Sequence, residues 1–190
     1  MLRHLPNALC IVRMLLAIPV AWLLVRGAYG LTLWVFAFAA VSDALDGYLA
    51  KRFKWESELG KHLDPLADKV LLVTAFITLT IVSHVPVWLA IVVVARDVII
   101  GFGALTFSIL FGPVNGRPTI ISKLNTLFQI AYVIAVVGAQ AAAVAASVLI
   151  TVLTTLVLVT TVASGIDYIA TYTQRAMEVS RRRAKRTDLQ

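Results

Sequence analysis

Apolar runs of about 20 residues follow one another along almost all of this 190-residue chain. A run of that length is what an α-helix needs to cross the hydrocarbon of a bilayer at about 1.5 Å per residue. With 60% of residues hydrophobic and 14% charged, there is too little polar surface to clothe a water-soluble globule of this size. The expected fold is all-α and polytopic, an integral membrane protein with six transmembrane helices. The spans are expected at residues 7–24, 31–50, 64–83, 85–111, 120–140 and 146–172. Gly and Pro punctuation separates several of them, in Arg26-Gly-Ala-Tyr-Gly30, His84-Val-Pro86 and Gly112-Pro-Val-Asn-Gly-Arg-Pro118. Beyond Lys123 no charged residue occurs until Asp167, so the last two spans are divided near residues 140–145 on length alone. The small-residue patch 138–146 there reads as close helix packing or a tight turn.

An even number of spans puts both termini on one side. That side collects Arg3, then Lys51, Arg52, Lys54 and Lys61, then Arg117 and Lys123, then the basic residues from Arg175 to Arg186, whereas the opposite side has only Arg26. Cytoplasmic loops are the Lys- and Arg-rich ones, which places both termini in the cytoplasm. A basic start before an apolar run also suits a signal peptide, but Arg13 interrupts that run and no small-residue cleavage site follows. One transmembrane domain is expected over residues 1–176, with a basic cytoplasmic tail over 177–190 that serves topology and anionic-lipid anchoring. The net charge of +7 comes from residues flanking the spans, so no nucleic-acid interface is expected. The single Cys10 excludes an intramolecular disulfide.

Against this background four aspartates, Asp43, Asp46, Asp64 and Asp68, fall within 26 residues. A carboxylate at bilayer depth costs roughly 2.5 to 3.5 kcal/mol on insertion scales, so four together call for a concentrated positive charge. Asp43 and Asp46 are three apart at the end of the second span, and Asp64 and Asp68 four apart at the start of the third, so each pair shares a helix face. Pro65 suits the first turn of the third helix, with Asp64 as its N-cap. Two antiparallel helices would bring the pairs together at the cytoplasmic membrane surface. An all-oxygen donor set of this kind suits Mg²⁺, Mn²⁺ or Ca²⁺. No His or Cys lies at a spacing that suits zinc.

Written out, the spacing is Asp43-x2-Asp46-Gly47-x2-Ala50-Lys51-x8-Gly60-x3-Asp64-x3-Asp68, and it resembles the signature of the CDP-alcohol phosphotransferase family. The resemblance implies a membrane enzyme, commonly with six transmembrane helices, that cleaves a CDP-alcohol and passes its phosphoryl-linked group to a hydroxyl. It implies that Asp43, Asp46, Asp64 and Asp68 hold one or two divalent cations, Mg²⁺ or Mn²⁺, with Asp68 doubling as general base. Gly47, Ala50 and Gly60 would leave room for the nucleotide, with Lys51 beside its phosphates. The family usually has Arg at the position of Lys51. An Arg grips phosphate through a planar fork and a Lys only as a point charge, and Arg52 projects about 100° away round the helix.

The opening Leu5-Pro-Asn-Ala-Leu-Cys-Ile-Val-Arg13 and the run Asp64-Pro-Leu-Ala-Asp-Lys69 look like the branch that makes anionic glycerophospholipids from CDP-diacylglycerol. The resemblance leaves two acceptors open, glycerol 3-phosphate and phosphatidylglycerol, with the first placed slightly ahead. Arg96, Arg117 and Lys123 are the candidate acceptor-binding residues. For Arg96 the alternative is an internal pair with Asp97 or with the Asp cluster, since a cation at membrane depth needs an anionic partner. Asp167 is expected to pair with a basic group, and the Trp residues to pack against lipid. A homodimer in a bacterial inner membrane is the implied setting. A cation or proton transporter is the rival class. Acids gathered at one membrane face, with no repeated halves, argue against it.

Overall fold

A backbone in hydrocarbon has no water to bind, so each apolar run must close its hydrogen bonds within itself. The chain, seen in a computed structural model, does so as six helices, with no strand among the described residues. They are α1 (Leu5–Val25), α2 (Tyr29–Phe53), α3 (Glu58–Ile81), α4 (Val87–Phe111), α5 (Ile120–Ala142) and α6 (Ser147–Thr187). The structure describes the backbone of residues 5–53, 58–111 and 119–187, and the side chains of residues 11–12, 14–42, 69–103, 106, 119–171 and 173.

Two boundaries differ from expectation. α3 begins at Glu58, so Asp64 lies inside the helix and is not its N-cap. Residues 58–63 include Glu, Leu and Lys, which favour the helical state, and Asp64 and Asp68 keep their shared face because the helix runs through both. α6, 41 residues in all from Ser147, does not stop near residue 172 but runs on to Thr187. Nothing between them breaks a helix, since residues 174–186 carry Ala, Met, Glu, Gln, Lys and Arg with no Gly or Pro.

The three turns 26–28, 82–86 and 143–146 are closed in the same way. In the first, the amides of Gly27 and Ala28 donate back to the carbonyls of Leu24 and Leu23; in the second, those of Ser83 and His84 donate to Thr80 and Leu79. In the third, those of Ala143 and Val144 donate to Gln140 and Ala139. Each is a Schellman motif, which needs its first residue past the helix in the left-handed region. Gly27 (φ 70°), Ser83 (φ 62°) and Ala143 (φ 52°) occupy that position. Of the two alternatives read from the composition of residues 138–146, a tight turn is present at 143–146, after the end of α5.

Register fixes helix direction. Ser122 and Ser164 meet on Arg96 while Asn125 meets Thr160 and Thr161, so α5 and α6 run antiparallel. α4 and α6 run parallel, because Arg96 reaches Ser164 and, further along both, Gly103 faces Tyr168 so closely that a Cβ there would lie 2.9 Å from its hydroxyl. Among the described residues, α1 packs on α2 and α3, and α6 on α4 and α5. α2–α5, α3–α4 and α3–α5 contacts join these two halves. The shared core comprises Val20 and Leu24, Phe76 and Leu79, Leu89 and Val93, Tyr132 and Val136, and Val157, with Phe76 stacked on Tyr132 at 5.7 Å.

Among the described residues, every helix carries large apolar side chains exposed on its outer side. Trp34, Ile120 and Val148 are 76 to 77% exposed, and Trp22 and Trp88 also face out. A contiguous skin of this kind suits lipid tails and not water. By length and composition, α5 and residues Ser147–Thr171 of α6 are long and apolar enough to cross a membrane; Met14–Val25, Tyr29–Ser42 and Lys69–Ile81 are shorter apolar stretches.

A left-handed L-residue costs roughly 1 to 2 kcal/mol that glycine avoids. Ala143→Gly should therefore raise the thermal stability of the purified protein, by about 1 kcal/mol once the looser unfolded chain is counted. A lowered melting temperature would refute the left-handed assignment.

Candidate functional site

The most polar place in the described bundle lies on α4. Two charged residues in succession, Arg96 and Asp97, sit between apolar neighbours, and both side chains are turned inward, 6% and 10% exposed. Arg96 Nη1 donates to Asp97 Oδ1 at 2.7 Å, and Lys69 Nζ, from α3, donates to Asp97 Oδ2 at the same distance. One carboxylate thus serves two cations from two helices. Arg96 Nη2 also donates to Ser122 Oγ at 2.8 Å and to Ser164 Oγ, which brings in α5 and α6. Arg96 Nε is buried without a protein partner. Removing one partner of a buried ion pair costs about 3 to 5 kcal/mol, because it strands the other charge, so the members of the network depend on one another.

Local structure places the α5 contribution. Thr119 is the N-cap: with φ −66° and ψ 156° its hydroxyl accepts from the Ser122 amide at 3.3 Å. That starts the helix so that Ser122 faces Arg96 while Lys123, next in the chain, stays exposed. The inward face continues through Asn125, whose Oδ1 accepts from Thr160 and Thr161 of α6 at 3.0 and 2.8 Å, and through buried Gln129.

Of the two readings of Arg96, the internal pair with Asp97 is present. Lys123 stands one residue from the serine that Arg96 contacts. Asp167 departs from expectation, since its Oδ2 is buried with no protein hydrogen-bond partner. Asp43, Asp46, Gly47, Ala50 and Lys51 lie on α2, and Gly60, Asp64 and Asp68 on α3. Their side chains, and Arg117 altogether, lie outside the described residues, so the expected meeting of the two carboxylate pairs lies there too. Among the described residues no three potential metal ligands cluster. α3 does carry the motif directly into the charged network, because Lys69 follows Asp68.

Lys69, Ser122 and Ser164 were not singled out by the sequence. A signal exists for the serines: Ser122, Asn125 and Gln129 recur at helical spacing on α5, and Thr160, Thr161 and Ser164 do so on α6. Each marks a polar stripe in an otherwise apolar helix. At the opposite face, Tyr29 Oη lies 2.5 Å from His84 Nε2 and the Arg26 guanidinium 4.9 Å above the Trp22 ring. His84 is therefore far from the charged network.

Comparison with known proteins bears on the same helices. A sequence profile described as CDP-alcohol phosphatidyltransferase matches residues 3–176. The human protein named cardiolipin synthase (CMP-forming) is 32% identical over 179 residues, 86% of this chain and 60% of its own length. A rice chloroplastic CDP-diacylglycerol--glycerol-3-phosphate 3-phosphatidyltransferase is 33% identical over 189 residues, 90% of this chain and 57% of its own. A Pseudomonas fluorescens protein of that same enzyme name is 38% identical over 104 residues, 51% of this chain and 52% of its own. The chain thus spans between half and three-fifths of the length of these relatives. The profile covers all four aspartates, Arg96, Asp97 and Lys123, and the chain belongs to the CDP-alcohol phosphatidyltransferase family.

Proposed function

We propose that the chain is a membrane-embedded phosphatidyltransferase that moves a phosphatidyl group from CDP-diacylglycerol to glycerol 3-phosphate, releasing CMP in phospholipid biosynthesis. The observation that carries this reading is the family match over residues 3–176, which contains the complete aspartate signature. The relatives' names supply the donor and the acceptor class. A second reading keeps the donor and takes phosphatidylglycerol as acceptor, giving cardiolipin. It is favoured by the human and fruit-fly relatives named cardiolipin synthase, each matching 86% of this chain. In both, the acceptor oxygen bonds to the phosphatidyl phosphorus, the pyrophosphate P–O bond breaks and CMP leaves.

Asp43, Asp46, Asp64 and Asp68 form a hard, all-oxygen donor set that fits Mg²⁺ or Mn²⁺. Such a cation supplies charge stabilisation at the pyrophosphate. Asp68 accepts the proton of the incoming hydroxyl, which is barely acidic on its own. Gly47, Ala50 and Gly60 admit the nucleotide, and Lys51 lies beside its phosphates. Arg96, Arg117 and Lys123 bind the acceptor's phosphate. Exposure of Lys123 and the unpartnered Nε of Arg96 support their part in this.

In this reading all six helices cross the membrane, as the apolar outer surface on each of them supports. The basic end, with the signature and both termini, faces the cytoplasm, in a bacterial inner membrane, and the small-residue helix faces suit a homodimer. The transporter reading has no support from the relatives.

Thin-layer identification of the lipid formed from CDP-diacylglycerol with each acceptor chooses between the two readings. No CMP release with either acceptor in Mg²⁺ or Mn²⁺ would sink both. Asp68→Asn should lower turnover at least about 10²-fold with donor binding kept, and full activity in that variant would remove Asp68 as base. Lys123→Ala should raise the acceptor KM about tenfold, a loss of roughly 1.4 kcal/mol, and leave the donor KM unchanged. The reverse pattern would move Lys123 to the nucleotide site.

A further inference from the structure

The residues that would handle the two substrates lie in different halves of the bundle. All four aspartates, with Gly47, Ala50, Lys51 and Gly60, are on α2 and α3, whereas Arg96 and Lys123 are on α4 and α5. Transfer needs the acceptor oxygen within roughly 3 to 3.5 Å of the phosphorus, and an error of about 1 Å can cost on the order of 10²-fold in rate. The register between the halves is therefore a catalytic quantity. α3 packs chiefly on α1, in its own half, and touches α4 and α5 over smaller stretches. Beside the motif its contact with α4 is ionic, with Lys69 Nζ 2.7 Å from Asp97 Oδ2.

We infer that Lys69 and Asp97 are positioning residues, a clasp that holds the donor half of the bundle in register with the acceptor half. The inference rests on the phosphatidyl-transfer reading above. Lys69 directly follows Asp68 on α3, so fixing its ammonium group limits the rotation and slide of the turn that carries Asp68. Asp97 is itself held from the other side: its second oxygen accepts from Arg96, which Ser122 and Ser164 tie to α5 and α6. The clasp thus joins α3 to three helices at once, at the level of the motif. Lys69 also makes a further interaction, so it has more than one restraint. Asp97 reaches α3 through the Lys69 ammonium group.

The test uses the full chain in lipid nanodiscs, with Lys69 substituted because it is the most exposed member, at 32% against 6% and 10% for the other two. In Lys69→Met, kcat/KM for whichever acceptor the unsubstituted chain uses should fall about 10²-fold. Binding of CDP-diacylglycerol in Mg²⁺, measured without acceptor, should hold within about twofold, since the clasp touches no donor group. Lys69→Arg should restore most of the transfer. Lys69→Gln, which keeps a donor without the charge, is the second variant if Lys69→Met does not fold, and it should lose acceptor efficiency in the same way. Equal loss of donor binding, or full transfer in Lys69→Met, would overturn the clasp.

A second readout does not depend on the reaction. Spin labels at the exposed positions Val70 on α3 and Leu124 on α5, in a Cys10→Ser background, report the distance between the halves. The distribution should broaden in Lys69→Met and return to its original width in Lys69→Arg. An unchanged distribution overturns the clasp whatever the activity. Absence of transfer by the unsubstituted chain, with the broadening present, overturns the reaction reading and leaves the clasp standing.

Discussion

Charge inside an apolar bundle must be matched before the helices around it can pack, and that requirement organises this molecule. Arg96 and Asp97 have side chains buried in the bundle, where an isolated ion is strongly disfavoured. The arrangement answers this by sharing one carboxylate between two cations and by directing Arg96 Nη2 to two hydroxyls. Four of the six helices meet at this point, with Arg96 and Asp97 from α4 and one polar group each from α3, α5 and α6. The close fit of Gly103 to Tyr168 accords with the same demand, since α4 and α6 must come near enough for Arg96 to reach Ser164.

The polar stripes on α5 and α6 extend that logic away from the charges. Asn125, Thr160 and Thr161 are short side chains that hydrogen-bond across the pair without separating the backbones, the form of adhesion that works where hydrophobic burial offers little. Beyond them the core becomes apolar and aromatic, with Tyr132 against Phe76 and Val133, Val136 and Val137 around them. The bundle is thus graded from ionic to polar to apolar along α5. Proximity to the motif helix and the greatest directional specificity coincide at the ionic end.

Much of the fold was legible because its governing pattern is coarse. Apolar runs, Gly and Pro punctuation and the length of a membrane span locate six helices, and even the uncharged stretch beyond Lys123 divides where length requires. What the pattern could not show was set by finer forces. The start of α3 depends on the helical preference of residues 58–63, which a rule built on Pro65 overlooks. The extension of α6 depends on the absence of a breaker, a feature that a hydropathy pattern ignores once the run turns basic. At the site, the Arg96–Asp97 pair was foreseen from the cost of burying charge. The contact with Lys69 was not, because nothing in one dimension says which of several basic residues will arrive beside Asp97. Ser122 and Ser164 were missed for a related reason: a serine in a helix has the same composition whether it faces lipid or a guanidinium.

The three matching turns on the face away from the motif carry a further consequence. They leave only three, five and four residues between helices, and each closes by backbone hydrogen bonds around one left-handed residue. Connections so short have no spare length to fold over a guest molecule or to reshape for a new one. Recognition of a substrate therefore cannot depend on these turns reshaping; their work is to hold the spacing of the helices they join.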